Sequence, residues 1–169
     1  MKRIFLMIMI CIGIGLNANA KKDELVFDYE LSPALDNIEV ASGYKVFKVW
    51  TFGKNRSSIT REIGIRNAIH GVLFRGLASY DTGYSGNQSA IVPDGYEAHK
   101  DYFDDFFSDP NKYALYVQET SRGSQRAGDV VKVGKRYKVG FLVQVNVNAL
   151  SKRMQKDGIV DGARKIFKR

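Results

Sequence analysis

Cysteine is nearly missing from this chain of 169 residues, and the single one, Cys11, lies inside a leading apolar run. Once that run is removed no thiol remains, which excludes a disulfide framework and a cysteine nucleophile and leaves the core to supply stability. Histidine is almost as scarce, with only His70 and His99. Two imidazoles are too few for a histidine-based zinc site unless carboxylates complete it, so neither a metal nor another cofactor is expected. Long apolar runs are lacking too: the longest, Ile4 to Leu16, falls short of the roughly 17 to 25 residues that a bilayer span requires. Phosphate-cradling glycine motifs are absent, since "GKNRSS" after Phe52 lacks the Walker spacing. The stretch "TGYSGN", Thr82 to Asn87, fails as a nucleophile elbow because G-x-S-x-G requires glycine where Asn87 stands.

The beginning of the chain reads "MKRIFLMIMICIGIGLNANA". Two cations, a short apolar run and the small-residue site Ala18-Asn19-Ala20 predict a signal peptide over residues 1–20, cleaved near Ala20, and hence a periplasmic or secreted protein. No cysteine follows the run, so a lipid anchor is not expected. The formal charge of +8 loses Lys2 and Arg3 with the leader and falls to +6. In an exported protein this balance points to anionic envelope surfaces or acidic partners before nucleic acid. Cations concentrate between Ser121 and Lys138 and again in the tail, where Arg164, Lys165, Lys168 and Arg169 lie. Each cluster reads either as a solvated segment or as a patch for anionic lipid, polysaccharide or an acidic protein face.

Residues 21–41 read as an extended lead-in with Pro33 and scattered acids, and residues 42–169 as one domain. The stretch "GYKVFKVWTFG" is rich in β-branched and aromatic residues and predicts a strand. From Ser58 to Phe74 the period changes. Ile59, Ile63, Ile65, Ile69, Val72 and Leu73 share one broad helical face, capped by Ser57 or Ser58 and ended at Gly76. A long loop follows from Leu77 to Pro93. The segment "KYALYVQET" and the two halves of "GDVVKVGKRYKVGFLVQVNV" predict three further strands, and Asn148 starts a short helix with Leu150 and Met154 at i,i+4. The expected fold is α+β: an antiparallel sheet of about four strands packed on one central helix, with an inserted loop and aromatic helix and a short C-terminal helical tail.

The aromatic helix lies in "GYEAHKDYFDDFFSDPNKY". Starting at Gly95 with Asp94 as cap, it places Tyr96, His99, Tyr102, Phe103, Phe106 and Phe107 within an arc of about 140° and Glu97, Asp101, Asp104 and Asp105 opposite. The rings read as packing and the acids as a solvated face. A hydrolytic use of Ser85 with His99 under the 77–93 loop stays open as an alternative, because a triad is defined by geometry and not by spacing.

The run "YKVFKVWTFGKNRSSITREIGIRNAIHGVLFRG", with Arg66-Asn67-Ala68-Ile69, and the later "YKVGFLVQVNVNALSKRMQKDGI" resemble the N-terminal domain of the flagellar assembly protein FlgT and related small Gram-negative envelope proteins. The inserted segment from Leu77 to Asn111 and the missing lipid-attachment cysteine depart from the flagellar members, so no flagellar role is carried over. The resemblance implies a non-catalytic periplasmic binding or envelope-assembly module. Its expected contact residues are the tyrosines of the loop and helix, Tyr80, Tyr84 and Tyr96, which offer large area at low entropy cost. The basic tail is the rival surface, with anionic lipid or polysaccharide as its partner.

Overall fold

The computed structural model describes residues 25–34, 40–77, 88–119 and 128–161. The fold is α+β. Strands β1 (Tyr29–Pro33), β2 (Tyr44–Gly53), β3 (Val117–Glu119), β4 (Val130–Val133) and β5 (Arg136–Asn146) form one antiparallel sheet. The order runs β1, β2, β5, and both β3 and β4 pair along the far edge of β5. Helices α1 (Arg61–Phe74), α2 (Lys100–Ser108), α3 (Pro110–Tyr113) and α4 (Val147–Lys156), with 3₁₀ turns at Arg56–Ser58, Glu97–His99 and Ala114–Tyr116, complete the described elements.

The registers sort the sheet into two faces. Val49 pairs with Phe141, Phe47 with Val143 and Thr51 with Val139; all six are buried and point towards α1. Trp50, Lys48, Phe52 and Lys138 alternate with them and point the other way. Helix α1 lies close on the inner face because small residues line its contact. A β-carbon at Gly64 would fall 2.6 Å from the Phe141 ring, and one at Gly71 would fall 2.8 Å from Leu31. Between them the fully buried Asn67 donates its amide to Thr51 Oγ1 at 3.1 Å, while its Oδ1 has no partner.

Several boundaries move from where the sequence put them. The lead-in contains a real strand, β1, whose Tyr29 and Leu31 turn inward as Glu30 and Ser32 turn out; Pro33 and the flanking acids disguise this alternation. The cap of α1 is Thr60, which accepts from Ile63 N–H, and Arg56–Ser58 form a separate 3₁₀ turn. The aromatic helix begins at Lys100, after a 3₁₀ turn at Glu97–His99, and not at Gly95, which has φ near +85°. The strand read from Lys112 shrinks to Val117–Glu119. Asp109 caps a new turn with Pro110 at its first position, so the chain continues helically to Tyr116 before extending. Val147 opens α4, because the Asn146 side chain accepts from Ala149 N–H and caps it. Of the last helical turn expected over residues 160–169, Val160 and Asp161 are not helical, and residues 162–169 lie outside those described.

The phenylalanines of the aromatic face are buried as their period predicts, whereas Tyr96, His99 and Tyr102 are half-buried, as is Asp104 of the expected solvated face. Phe103, Phe106 and Phe107 are buried while Asp101 and Asp105 are exposed. Tyr102 donates to Asp157 at 2.6 Å, and Arg153 donates to the same oxygen, which ties α2 to the end of α4. Burial pushes Asp157 upward, but these two hydrogen bonds outweigh it and hold the carboxyl below its usual range.

The two helix glycines should respond differently to alanine. At either site the change gains about 1 kcal/mol of helix propensity. At Gly64 the new methyl meets a buried ring that has nowhere to go, so overpacking of about 1 to 3 kcal/mol wins. At Gly71 it meets the flexible end of Leu31 on an edge strand, which can move aside. Denaturant titration should therefore find Gly64→Ala less stable than wild type and Gly71→Ala close to neutral or better; equal losses would contradict the seam.

Candidate functional site

Arg66, His70 and Phe74 recur every four residues along α1, so their side chains rise one above another. His70 is the hub of what surrounds them. Its ring stacks on Phe27 with centroids 3.9 Å apart, and its Nδ1 lies 2.7 Å from Tyr29 Oη as one half of a hydrogen bond. Phe74 at 4.7 Å, Tyr96 at 6.0 Å and Phe107 at 6.1 Å close the other sides. Two arginines hold the N-terminal segment against this hub: Arg66 donates to the Val26 carbonyl and Arg75 to the Tyr29 carbonyl. The Arg75 guanidinium also lies over the Tyr29 ring, 4.2 Å from its centroid.

The electrostatics follow from burial. Burial first, and then the charges of Arg75 and Arg66, push His70 down to about 4, so its imidazole is neutral at ordinary pH. Burial raises Tyr29 to about 12 against the opposing pull of Arg75. Tyr96 is raised well above the usual phenol range by burial and by the hydrogen bond that it donates to Asp104 at 2.8 Å. These groups are locked into packing and hydrogen bonds.

A groove of about 630 Å³ opens where the 88–94 segment meets the end of α4. Asp94, His99, Ser151, Gln155 and Asp161 supply its polar lining, and Ile91, Pro93 and Ile159 its apolar patches. The 88–94 segment is fixed from below: Val92 N–H donates to the Leu73 carbonyl at 2.8 Å, and Leu77 and Gln88 exchange backbone hydrogen bonds. Two carboxylates, an imidazole, a hydroxyl and an amide around an open cleft can hydrogen-bond a polar peptide segment or a small polar ligand. Among the described residues, no three of His, Cys, Asp and Glu group so as to hold a metal ion. No described helix is long and apolar enough to cross a membrane.

The sequence-predicted site residues distribute unevenly over this picture. Tyr96 is half-buried in the aromatic hub, with its hydroxyl committed to Asp104. His99 is half-buried at the groove, its ring 6.4 Å from Phe103. Tyr80, Tyr84, Ser85, Arg164, Lys165, Lys168 and Arg169 lie outside the described residues. Asp94, Ser151 and Gln155 had no local signal to mark them, since they meet only when the loop exit is folded onto α4. Comparison with protein-family models, with curated proteins and with solved structures finds no significant match.

Acid should weaken the fold through the hub. The folded pKa of His70 lies below the value of about 6.5 for a free histidine, so folding opposes protonation; this contribution is whole above about pH 6.5 and is lost as the pH falls towards 4. His70→Gln keeps a polar side chain and cannot titrate. Its unfolding free energy should fall less steeply than wild type over that window, by about 2 kcal/mol after allowing for partial solvent contact. Denaturation across the pH series decides it. Parallel curves would place the acid sensitivity elsewhere.

Proposed function

We propose that this protein is a non-catalytic binding or assembly module of the bacterial envelope, exported to the periplasm by its leader, and that it takes its partner at the groove beside His99. The observation that carries this reading is the groove itself. It lies where the inserted loop leaves the fold and the aromatic turn begins, the two segments singled out by their tyrosines. Its rim is rigid on one side, through the backbone bonds to Leu73 and Leu77, and its lining mixes hydrogen-bonding groups with apolar patches as partner sites do. A polar protein segment of the envelope is the occupant that this lining fits.

The hydrolase alternative draws on the same place, because His99 lines the cleft. It requires Ser85 to come within hydrogen-bond reach of that imidazole. Ester turnover lost in both Ser85→Ala and His99→Ala, with the fold intact, would select it.

Site-specific photocrosslinking in cells tests the primary reading. A crosslinker placed at Ser89 or at Gln155 should trap one and the same envelope protein, and one at the exposed Leu115 should not. Adducts equal at all three positions, or none from the groove, would remove the groove as the contact surface.

A further inference from the structure

At the end of the sheet opposite α4, the hairpin of β4 and β5 presents an unusual surface. Val131 and Val133 are 36% and 47% exposed, two of the few large apolar side chains left in water among the described residues. They point to the outer face, because their partners across the ladder are Lys138 and Arg136, while Val130 pairs with the buried Val139 on the inner face. Lys132 is exposed between them, and Lys135 stands at the exposed tip, where Gly134 takes φ near +60°.

Lys54 and Arg56 follow β2 to the same end, because Gly53 pairs with Tyr137. Among the described residues three carboxylates oppose this charge: Asp28 pairs with Arg136, Glu30 with Lys138 at 3.1 Å, and the buried Asp129 with Lys48 at 2.7 Å. The Asp28–Arg136 pair is exposed on both sides, and such pairs are worth little and exchange readily. Behind the hairpin on the same face lies Trp50, its ring set against Gly140, with Lys48 and Lys138 at 5.0 and 4.9 Å from its centroid.

We propose that this hairpin end is a docking surface for an anionic phospholipid bilayer. Cations alone would fit any polyanion. The valines decide between them, since they stand exposed among the lysines and gain nothing from a hydrated polysaccharide or nucleic acid chain, whereas they can enter the boundary between headgroups and acyl chains while the ammonium groups meet the phosphates. The strand geometry helps. An alternating strand sends its valines one way and its intervening lysine the other, and the lysine stem is long enough to bend its charge back to the headgroups. The surface is separate from the groove beside His99, so one molecule can hold a partner at one end and a membrane at the other.

Trp50 is the only tryptophan in the chain and reports on this face. Vesicles of phosphatidylcholine with about a third phosphatidylglycerol should blue-shift its emission and sediment the protein, and vesicles of phosphatidylcholine alone should do neither. Binding should weaken with added salt, as expected for charges screened beyond about 8 Å at physiological ionic strength. Lys132→Gln with Lys135→Gln should weaken partitioning roughly thirtyfold, about fivefold for each cation near the surface. Val131→Ser with Val133→Ser should weaken it about tenfold. All variants are compared in the full chain with identical termini, so contributions of the ends cancel, and unchanged thermal melting confirms that the exposed changes leave the fold intact.

Three results would overturn the proposal. One is vesicle binding unaffected by either hairpin variant and lost on truncation after Gly158, which would place it in the basic tail. Another is equal retention on soluble dextran sulfate or an oligonucleotide with the valine changes silent, which would make this a polyanion site. The third is no preference for phosphatidylglycerol over phosphatidylcholine alone.

Discussion

The close seat of α1 on the inner face of the sheet is the contact on which the other arrangements depend. Gly64 lets the helix backbone approach the Phe141 ring more closely than a β-carbon would allow, and Gly71 sits close over the flexible end of Leu31. That approach sets the height of the next face of the helix. Arg66, His70 and Phe74 are thereby brought level with Phe27 and Tyr29 of the N-terminal segment, with Tyr96 and with Phe107 of α2. With a larger side chain at Gly64 the helix would ride higher and the ring cluster would have to open.

The hub also explains how an irregular part of the chain is placed. Residues 88–94 have little secondary structure of their own, yet they are hydrogen-bonded to the last turn of α1 and lead directly into Tyr96. The groove beside His99 inherits its position from that attachment. From the other side, α4 is fixed by buried Leu150 and Met154 and by the Asp157 carboxylate shared between Tyr102 and Arg153. A cleft between two independently anchored walls keeps its shape without a ligand, which lowers the ordering cost of binding there.

Residues whose neighbours are local in sequence were the legible ones. The alternation from Val139 to Val145 specified β5, and the ring spacing from Phe103 to Phe107 specified the buried face of α2. Strand β1 was hidden because its five residues include a proline and β2, its partner among the described residues, lies on the far side of the 35–39 segment. The extension expected from Lys112 fails because Asp109 and Pro110 restart a helix. The cap expected at Ser57 or Ser58 is Thr60, which stands one residue before the first helical position. The groove was illegible for a different reason: Asp94 and Ser151 are far apart in the chain and carry no motif, so only the packing of α4 brings them together. The bond of His70 to Tyr29 across 41 positions leaves no local trace in the sequence.

Amide hydrogen exchange on the folded chain tests the central claim most directly, because it ranks the stability of each element without mutation. If α1 is the seat of the structure, the amides from Asn67 to Leu73 should exchange as slowly as those from Val139 to Val145 in β5, and both should open only with global unfolding. The amides of the 88–94 segment should follow as a less protected unit. An α1 that exchanges well before β5, while the sheet remains protected, would contradict the account.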